Sequence, residues 1–447
     1  MVCAKPLVII NKIDLTAFDF MRNGNFLADI VKKIKSDKFL SNSFVFFTGG
    51  FLVSLGGYFF HFLMVRMLSV ENYGELQSLL AIFAIFGIPM AALSTVLVKY
   101  TAHFKAKGES NKLYSLFSLF TNRILLAISI FSVVFFAFSG YVANFLRLPS
   151  VWPVIILGLT FIPAFLSLVN RAIIQGLEKF TSASIIGLAE VAVRILLAFI
   201  LVKIGWAVNG AIGAIALAGL VGCFFTFLPL KFLFNGERQK EPIETKEIIK
   251  YLPPVFLSLL FLTLFYNIDI ILVKHFLPAF VAGQYGALAL IGHIIFFITG
   301  PIVAVMFPMA SAAHANNADS SKIFKKTIAL AGLIGSAILL VYFLLPELVI
   351  KILIGNKFLP LAGLLGWFGL AMFLYSLIII FSQYFLSIHQ TRVFYFLGLG
   401  VLLQTIFIAI WHQNLGQIVG AMNAVMLFTL ALLLIYYGRV KKLENYA

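Results

Sequence analysis

The sequence predicts an all-α polytopic membrane protein, about twelve transmembrane helices in two six-helix lobes, the second a parallel repeat of the first. Three observations carry this. The 447 residues are 62% hydrophobic and only 11% charged, with a mean hydropathy of +1.05, whereas a soluble domain is about half apolar and a quarter charged. Twelve apolar runs are each long enough to cross about 30 Å of hydrocarbon at about 1.5 Å per residue. Landmarks of the first half recur some 212 residues later. Large cytosolic enzymes, disordered scaffolds and disulfide-stapled secreted modules are excluded by the composition alone. The two cysteines, Cys3 in a polar tail and Cys223 in an apolar run, form no disulfide or metal framework.

The runs cover residues 44–65, 76–98, 116–140, 153–172, 183–202, 210–230, 251–273, 284–307, 328–345, 361–383, 393–411 and 418–437. They are continuous rather than alternating, which leaves a helical bundle, since only helices and closed barrels satisfy their backbone in lipid. Lysine and arginine orient it. With the N-terminus inside, 25 of the 33 fall on inside segments, 6 on outside loops, and Arg123 and Arg194 within spans. Loops rich in these residues stay cytoplasmic. Both termini are therefore expected in the cytoplasm, the protein in the cytoplasmic membrane, and the net charge of +16 needs no nucleic acid. The expected organisation is a tail over 1–43, a first lobe over 44–230, a cytoplasmic linker over 231–250, a second lobe over 251–437 and a tail over 438–447. The first tail is not expected to be a signal peptide. Its Asn11-Lys12-Ile13-Asp14 resembles a guanine-specificity box, yet no GxxxxGK[ST] loop exists to hold phosphates. A start called too far upstream, with Met21 as the alternative, accounts for it better. Lys32, Lys33, Lys35 and Lys38 then form a basic stretch favouring an anionic leaflet and its membrane lipids.

The repeat rests on several matches at nearly one offset. Tyr73-Gly74 opens the second span and Tyr285-Gly286 the eighth; Pro89 matches Pro301, and Leu76 and Ile82 match Leu288 and Ile294. The loop Glu109 to Tyr114 parallels Asp319 to Phe324. An even number of spans per half makes the repeats parallel, a plan used by alternating-access transporters with the path between the halves. Pro89 and Pro301 are candidate bending points, or static kinks of the kind common in membrane helices.

Several elements resemble one family. Arg66-Met67-Leu68-Ser69-Val70-Glu71-Asn72-Tyr73-Gly74 resembles the R-x-L-x-x-E-x-Y-G element of polysaccharide biosynthesis proteins. These are the oligosaccharide flippases of the multidrug/oligosaccharidyl-lipid/polysaccharide exporter superfamily. Asn267 to Val273 followed by Gly283-Gln284-Tyr285-Gly286 is similar to the family's span-seven pattern, Gln175-Gly176 to its Q-G loop, and Gly355 to Phe358 to its G-x-x-F. The resemblance runs from about residue 40 to the end. It implies two lobes around a central V-shaped cavity through which a lipid-linked saccharide head group crosses. Lipid II flippases of the superfamily usually carry two further spans, which this sequence lacks.

Charges inside spans cost roughly 2.5–3.5 kcal/mol each on insertion scales, so each needs an account. Glu190 and Arg194 stand one turn apart in span five, the arginine about 17 Å into the membrane. Arg194 is either an anchor for a lipid diphosphate, which a guanidinium fork matches, or half of a self-satisfied pair bracing the lobe, and Glu190 is also a candidate for coupling or gating. Arg123 either lies at the cytoplasmic mouth of the cavity or snorkels to the surface. Arg66, ending span one, and Lys274, ending span seven, either draw the head group outward or anchor at the interface. Asp269 is a candidate for coupling to H+ or Na+, or for gating, with a structural pairing to Asn267 or Lys274 as the alternative. His293 and His61 are candidate titrating groups, or packed hydrogen-bonders.

No HExxH, Cys/His cluster or nucleophile elbow is present, and the outer loops are short. The expectation is a transporter and not an enzyme, without cofactor beyond a coupling ion. Its expected substrate, with the resemblance, is a polyprenyl-diphosphate-linked oligosaccharide, and a glycan polymerase or glycosyltransferase is an expected partner. A cation-coupled drug exporter of the same fold and a non-transporting scaffold of a glycan assembly complex are the rivals.

Overall fold

The computed structural model describes residues 38–234, 241–242, 246–316 and 318–446. Most of the expected basic tail and part of the expected linker lie outside the described residues. Those described form helices and short connections, with no strand among them. In chain order the helices are α1 Lys38–Met67, α2 Val70–Lys107, α3 Ser110–Ala137, α4 Ser139–Phe145, α5 Trp152–Gly176, α6 Phe180–Leu201 and α7 Ala207–Phe227, then α8 Lys246–Phe265, α9 Ile268–Phe276, α10 Ala279–Gly292, α11 Ile294–Ala315, α12 Ser321–Leu344, α13 Pro346–Leu353, α14 Ala362–Ser387, α15 Val393–Ile410 and α16 Leu415–Tyr446. Their outer faces carry exposed Leu126, Val133, Phe224 and Leu333, the surface a helix presents to lipid rather than water.

Local chemistry sets the helix ends. Ser69 opens α2 with its Oγ accepting from the Asn72 amide at 3.2 Å, and Gly108 at φ 71° closes it. At the start of α12, Asp319 accepts from the Ser321 hydroxyl and amide, which holds its carboxyl below the usual range. The apolar stretch Phe180–Leu233 is continuous for 54 residues, about 80 Å at helical rise and far too long for one crossing. It folds back at Gly205, whose φ of 98° reverses the chain. Gly210 then lies against Leu201, and Gly222 against Glu190, so α6 and α7 are an antiparallel pair.

With that hairpin counted as two, and α8 with α9 as one bent span, the twelve expected crossings are present. Every helix of the first half has a counterpart in the second, down to the short α4 and α13 that follow the third and ninth spans. Helices α1 to α7 make one lobe and α8 to α16 the other. The expected tail beyond residue 437 is a continuation of α16, which at 32 residues is about 48 Å long and outreaches the membrane.

The lobes differ in one respect that the sequence reading did not foresee. Spans one and two are unbroken helices, whereas span seven bends by 45° between Phe265 and Ile268; span eight runs as one helix over Ala279–His314 with a single turn residue at His293. The candidate bending residues Pro89 and Pro301 instead lie inside helices that run through them. A break frees backbone carbonyls that lipid cannot satisfy. Here side chains take them: Tyr375 donates to Leu262 O at 2.7 Å, Asn267 to Thr263 O at 2.9 Å, and Gln404 to Phe265 O at 3.0 Å. Beside His293 in span eight, Tyr342 donates to Ile291 O at 2.8 Å. Gln404 is fully buried. Gln404→Leu is therefore expected to strand a buried carbonyl at a cost of about 1–3 kcal/mol, read as a lowered Tm of the detergent-solubilised protein. Substitution of the exposed Thr95 provides the control.

Between the lobes, α2 packs along α8, α9 and α10. The ties cluster at the end of the molecule away from the linker. Lys357 Nζ donates to Leu68 O at 2.9 Å and Arg66 donates to Ile352 O. His275 shares a 2.7 Å hydrogen bond with Phe145 O and stacks on its ring at 4.1 Å. Gln77 donates to Tyr73 Oη within its own helix and to Gly286 O across the seam.

Candidate functional site

The best-developed site is inside the first lobe. Glu190, on α6, divides its carboxylate between two arginines: Oε1 accepts from Arg194 at 3.0 Å, one turn on, and Oε2 accepts from Arg171 near the end of α5. The three side chains are 18%, 24% and 37% exposed, partly withdrawn from solvent yet open on one side. That side is a cavity of about 500 Å³ among α1, α2, α5, α6 and α7, whose polar lining adds Ser94, Thr160, Ser167 and Gln175. The volume lies within the range of small-molecule sites. Two cations and one anion leave the lining one positive charge in excess. Arg194 Nε has no hydrogen-bond partner although buried, an orphaned donor beside an open cavity.

The Glu190–Arg194 pair expected from the i,i+4 spacing is present. Arg171 was missed because it falls in the last two residues of the expected span four, where hydropathy fades into charge, and its charge was counted with the inside loop that follows. The helix in fact continues five residues beyond it, to Gly176. The available signal was Gln175 one turn further on, which places a second polar group on the same helical face.

The other candidates are dispersed. Arg123 is exposed on α3 and lies outside this cavity lining. Arg66 is engaged in the inter-lobe tie to Ile352. Asp269 is fully buried; its Oδ2 accepts from Tyr285 at 2.5 Å, and not from Asn267 or Lys274, the partners of the alternative structural reading. Asp269 Oδ1 has no hydrogen-bond partner, and the carboxylate stands in the first turn of α9, a position that the helix dipole favours for an acid. Lys274, 2% exposed, has as its electrostatic neighbours Glu75 and Glu71 of the opposite lobe. His61 and His293 lie within electrostatic reach of one another across the seam between α1 and α11, one turn from the edge-to-face pair Tyr58–Phe297. His61 also lies within electrostatic reach of Arg194. His61 Nδ1 and His293 Nε2 are buried without partners. No group of three His, Cys, Asp or Glu able to hold a metal occurs among the described residues.

Residues 63–363 match the family described as polysaccharide biosynthesis protein, two thirds of the chain. The chain belongs to that family. A curated relative, an uncharacterized membrane protein of Methanocaldococcus jannaschii, is 28% identical over 278 residues. The match covers 57% of this polysaccharide biosynthesis family member and 63% of the relative's length. Among solved structures, an inward-facing multidrug resistance MATE family transporter of the MOP superfamily superposes with a TM-score of 0.71 at 14% identity, over 86% of this chain and 95% of its own. A lipid II flippase in an inward closed conformation gives 0.70 at 13% identity, over 88% and 87%. The family member is thus a multi-pass membrane protein with the two-lobe, twelve-helix fold of those transporters.

Proposed function

We propose that this protein is a flippase that carries a polyprenyl-diphosphate-linked oligosaccharide across the cytoplasmic membrane, with both termini and the linker in the cytoplasm. The observation that carries the reading is the pair of arginines on separate helices, with an unpartnered Arg194 Nε, bordering a cavity of about 500 Å³. Guanidinium forks match phosphate oxygens in geometry as well as charge, while the hydroxyls and amide of the same cavity suit a sugar. The inter-lobe ties at the end away from the linker support a resting form open towards the linker, and alternating access then requires those ties to break. Asp269, on a discontinuous span with one oxygen not fully bonded, is the group through which H+ or Na+ would couple to that motion. The family and the likeness to a lipid II flippase agree with this substrate class.

The test is translocation of a fluorescent polyprenyl-diphosphate oligosaccharide in proteoliposomes, followed by loss of fluorescence to an impermeant reductant. Protein-dependent translocation, with a rate that responds to an imposed pH or Na+ gradient, is the expected result. Ion-driven efflux of cationic dyes without lipid flipping would move the function to a drug exporter. Failure of both would leave a scaffold.

A further inference from the structure

A cluster of two arginines around one glutamate poses a question that anion binding alone does not answer. Each guanidinium carries several N–H donors, and the single carboxylate engages one nitrogen of each. Glu190 holds both from the centre, with one oxygen per arginine, which is how a phosphate with two free oxygens would bridge them. The wall behind the carboxylate is the α7 backbone at Gly222: a Cβ there would stand 2.7 Å from Glu190 Oε2 and 3.2 Å from Arg171 Nη2. The ion pair therefore sits against bare main chain on one side and the cavity on the other.

We infer that Glu190 is an internal stand-in for the substrate's anion, displaced from Arg171 and Arg194 when a phosphate enters and returning to them as it leaves. The inference rests on the anionic head-group reading of the same cavity. Without a resident carboxylate, two neighbouring guanidiniums would repel in the unloaded protein. With an entering phosphate, the carboxylate becomes a like charge beside it and is driven off. Binding then costs an existing ion pair, which keeps affinity modest and lets the head group depart on the far side. A site that moves its ligand on, like a conducting pore, must hold it weakly enough to release it. Glu190 is a positioning residue in this scheme. A brace that merely holds α5 to α6 would predict the opposite sign for binding.

The experiment compares the parent with Glu190→Gln and Glu190→Asp in full-length detergent-solubilised protein, using a polyprenyl diphosphate without sugar, inorganic pyrophosphate and a polyprenyl alcohol as probes. Folding is followed by Tm. Glu190→Gln should bind the polyprenyl diphosphate roughly tenfold more tightly, the worth of a charged hydrogen bond no longer in competition, while its translocation in proteoliposomes falls severalfold through slow release. Glu190→Asp, shorter by one methylene and still charged, should shift in the same direction by less, and it carries the test alone if the amide does not fold. Equal or weaker binding in whichever variant folds overturns the stand-in and leaves a structural brace. Flipping by the parent with unchanged variant affinity rejects this inference but not the flippase. Tighter binding of pyrophosphate by the variants, with no flipping by the parent, supports the stand-in while rejecting the flippase.

Discussion

Replacing Arg171 and Arg194 together by alanine is expected to bring translocation down to the protein-free rate. Each guanidinium makes a charged hydrogen bond of a kind worth about 1.5–3 kcal/mol, so either single change should slow transport by roughly ten- to a hundredfold. The single variants should also differ from one another. Arg194→Ala leaves Glu190 paired to Arg171 on α5, and Arg171→Ala leaves it paired within its own helix to Arg194. The double variant strands a partly buried carboxylate, and its Tm should fall by more than the two single shifts added together, because the groups act as one network. Restoring both Tm and transport with Arg171→Lys would argue that charge suffices; the fork geometry predicts that lysine restores Tm only. Translocation by the double variant at the parent rate would remove this cavity from the pathway.

Gly283→Val should lock the molecule out of the form seen here. A Cβ at residue 283 would lie 1.8 Å from Val70 O and 2.5 Å from Val70 C, backbone atoms that no rotamer change can move aside. Overpacking of a buried contact costs about 1–3 kcal/mol when neighbours yield, and here the cheaper response is for the lobes to part. The expected result is a folded protein with little transport, in which a cysteine replacing the buried Leu68 reacts with an impermeant maleimide much faster than in the parent. Gly57→Ala, with nothing within 4 Å of the added carbon, should change neither. Normal transport by Gly283→Val would mean that this seam does not need to close.

Span count, repeat and the Glu190–Arg194 pair were legible because each rests on a short-range rule. Apolar length marks a crossing, a constant offset marks duplication, and i,i+4 spacing marks a pair. Arg171 was not, since what makes it part of the site is a contact across 19 residues of sequence with Glu190. The break in span seven escaped for a related reason. Proline announces a lost hydrogen bond locally, so Pro89 and Pro301 drew attention. A break at Phe265–Asn267 is instead made tolerable by Tyr375 and Gln404, which lie more than a hundred residues away. Likewise Asp269 found its partner in Tyr285, on the next helix but inside the dipeptide that had revealed the repeat.

Gly74 and Gly286 are the same position of the two repeats, 212 residues apart, and they meet: a Cβ on Gly286 would lie 3.9 Å from Gly74 Cα. A position that touches its own copy lies on the rotation axis relating the copies, as at the centre of an isologous dimer interface. In a pair of separate, identical subunits such a residue would be one gene position felt twice at one point in space. Fusion of the two units into a single chain releases each copy to vary, yet contact at the axis still binds them. Cross-seam neighbours have diverged, with Gln77 facing Gly286 O on one side and no equivalent amide at Ala289 on the other. The glycines have not, and as long as the lobes meet there, the two carry a single constraint between them.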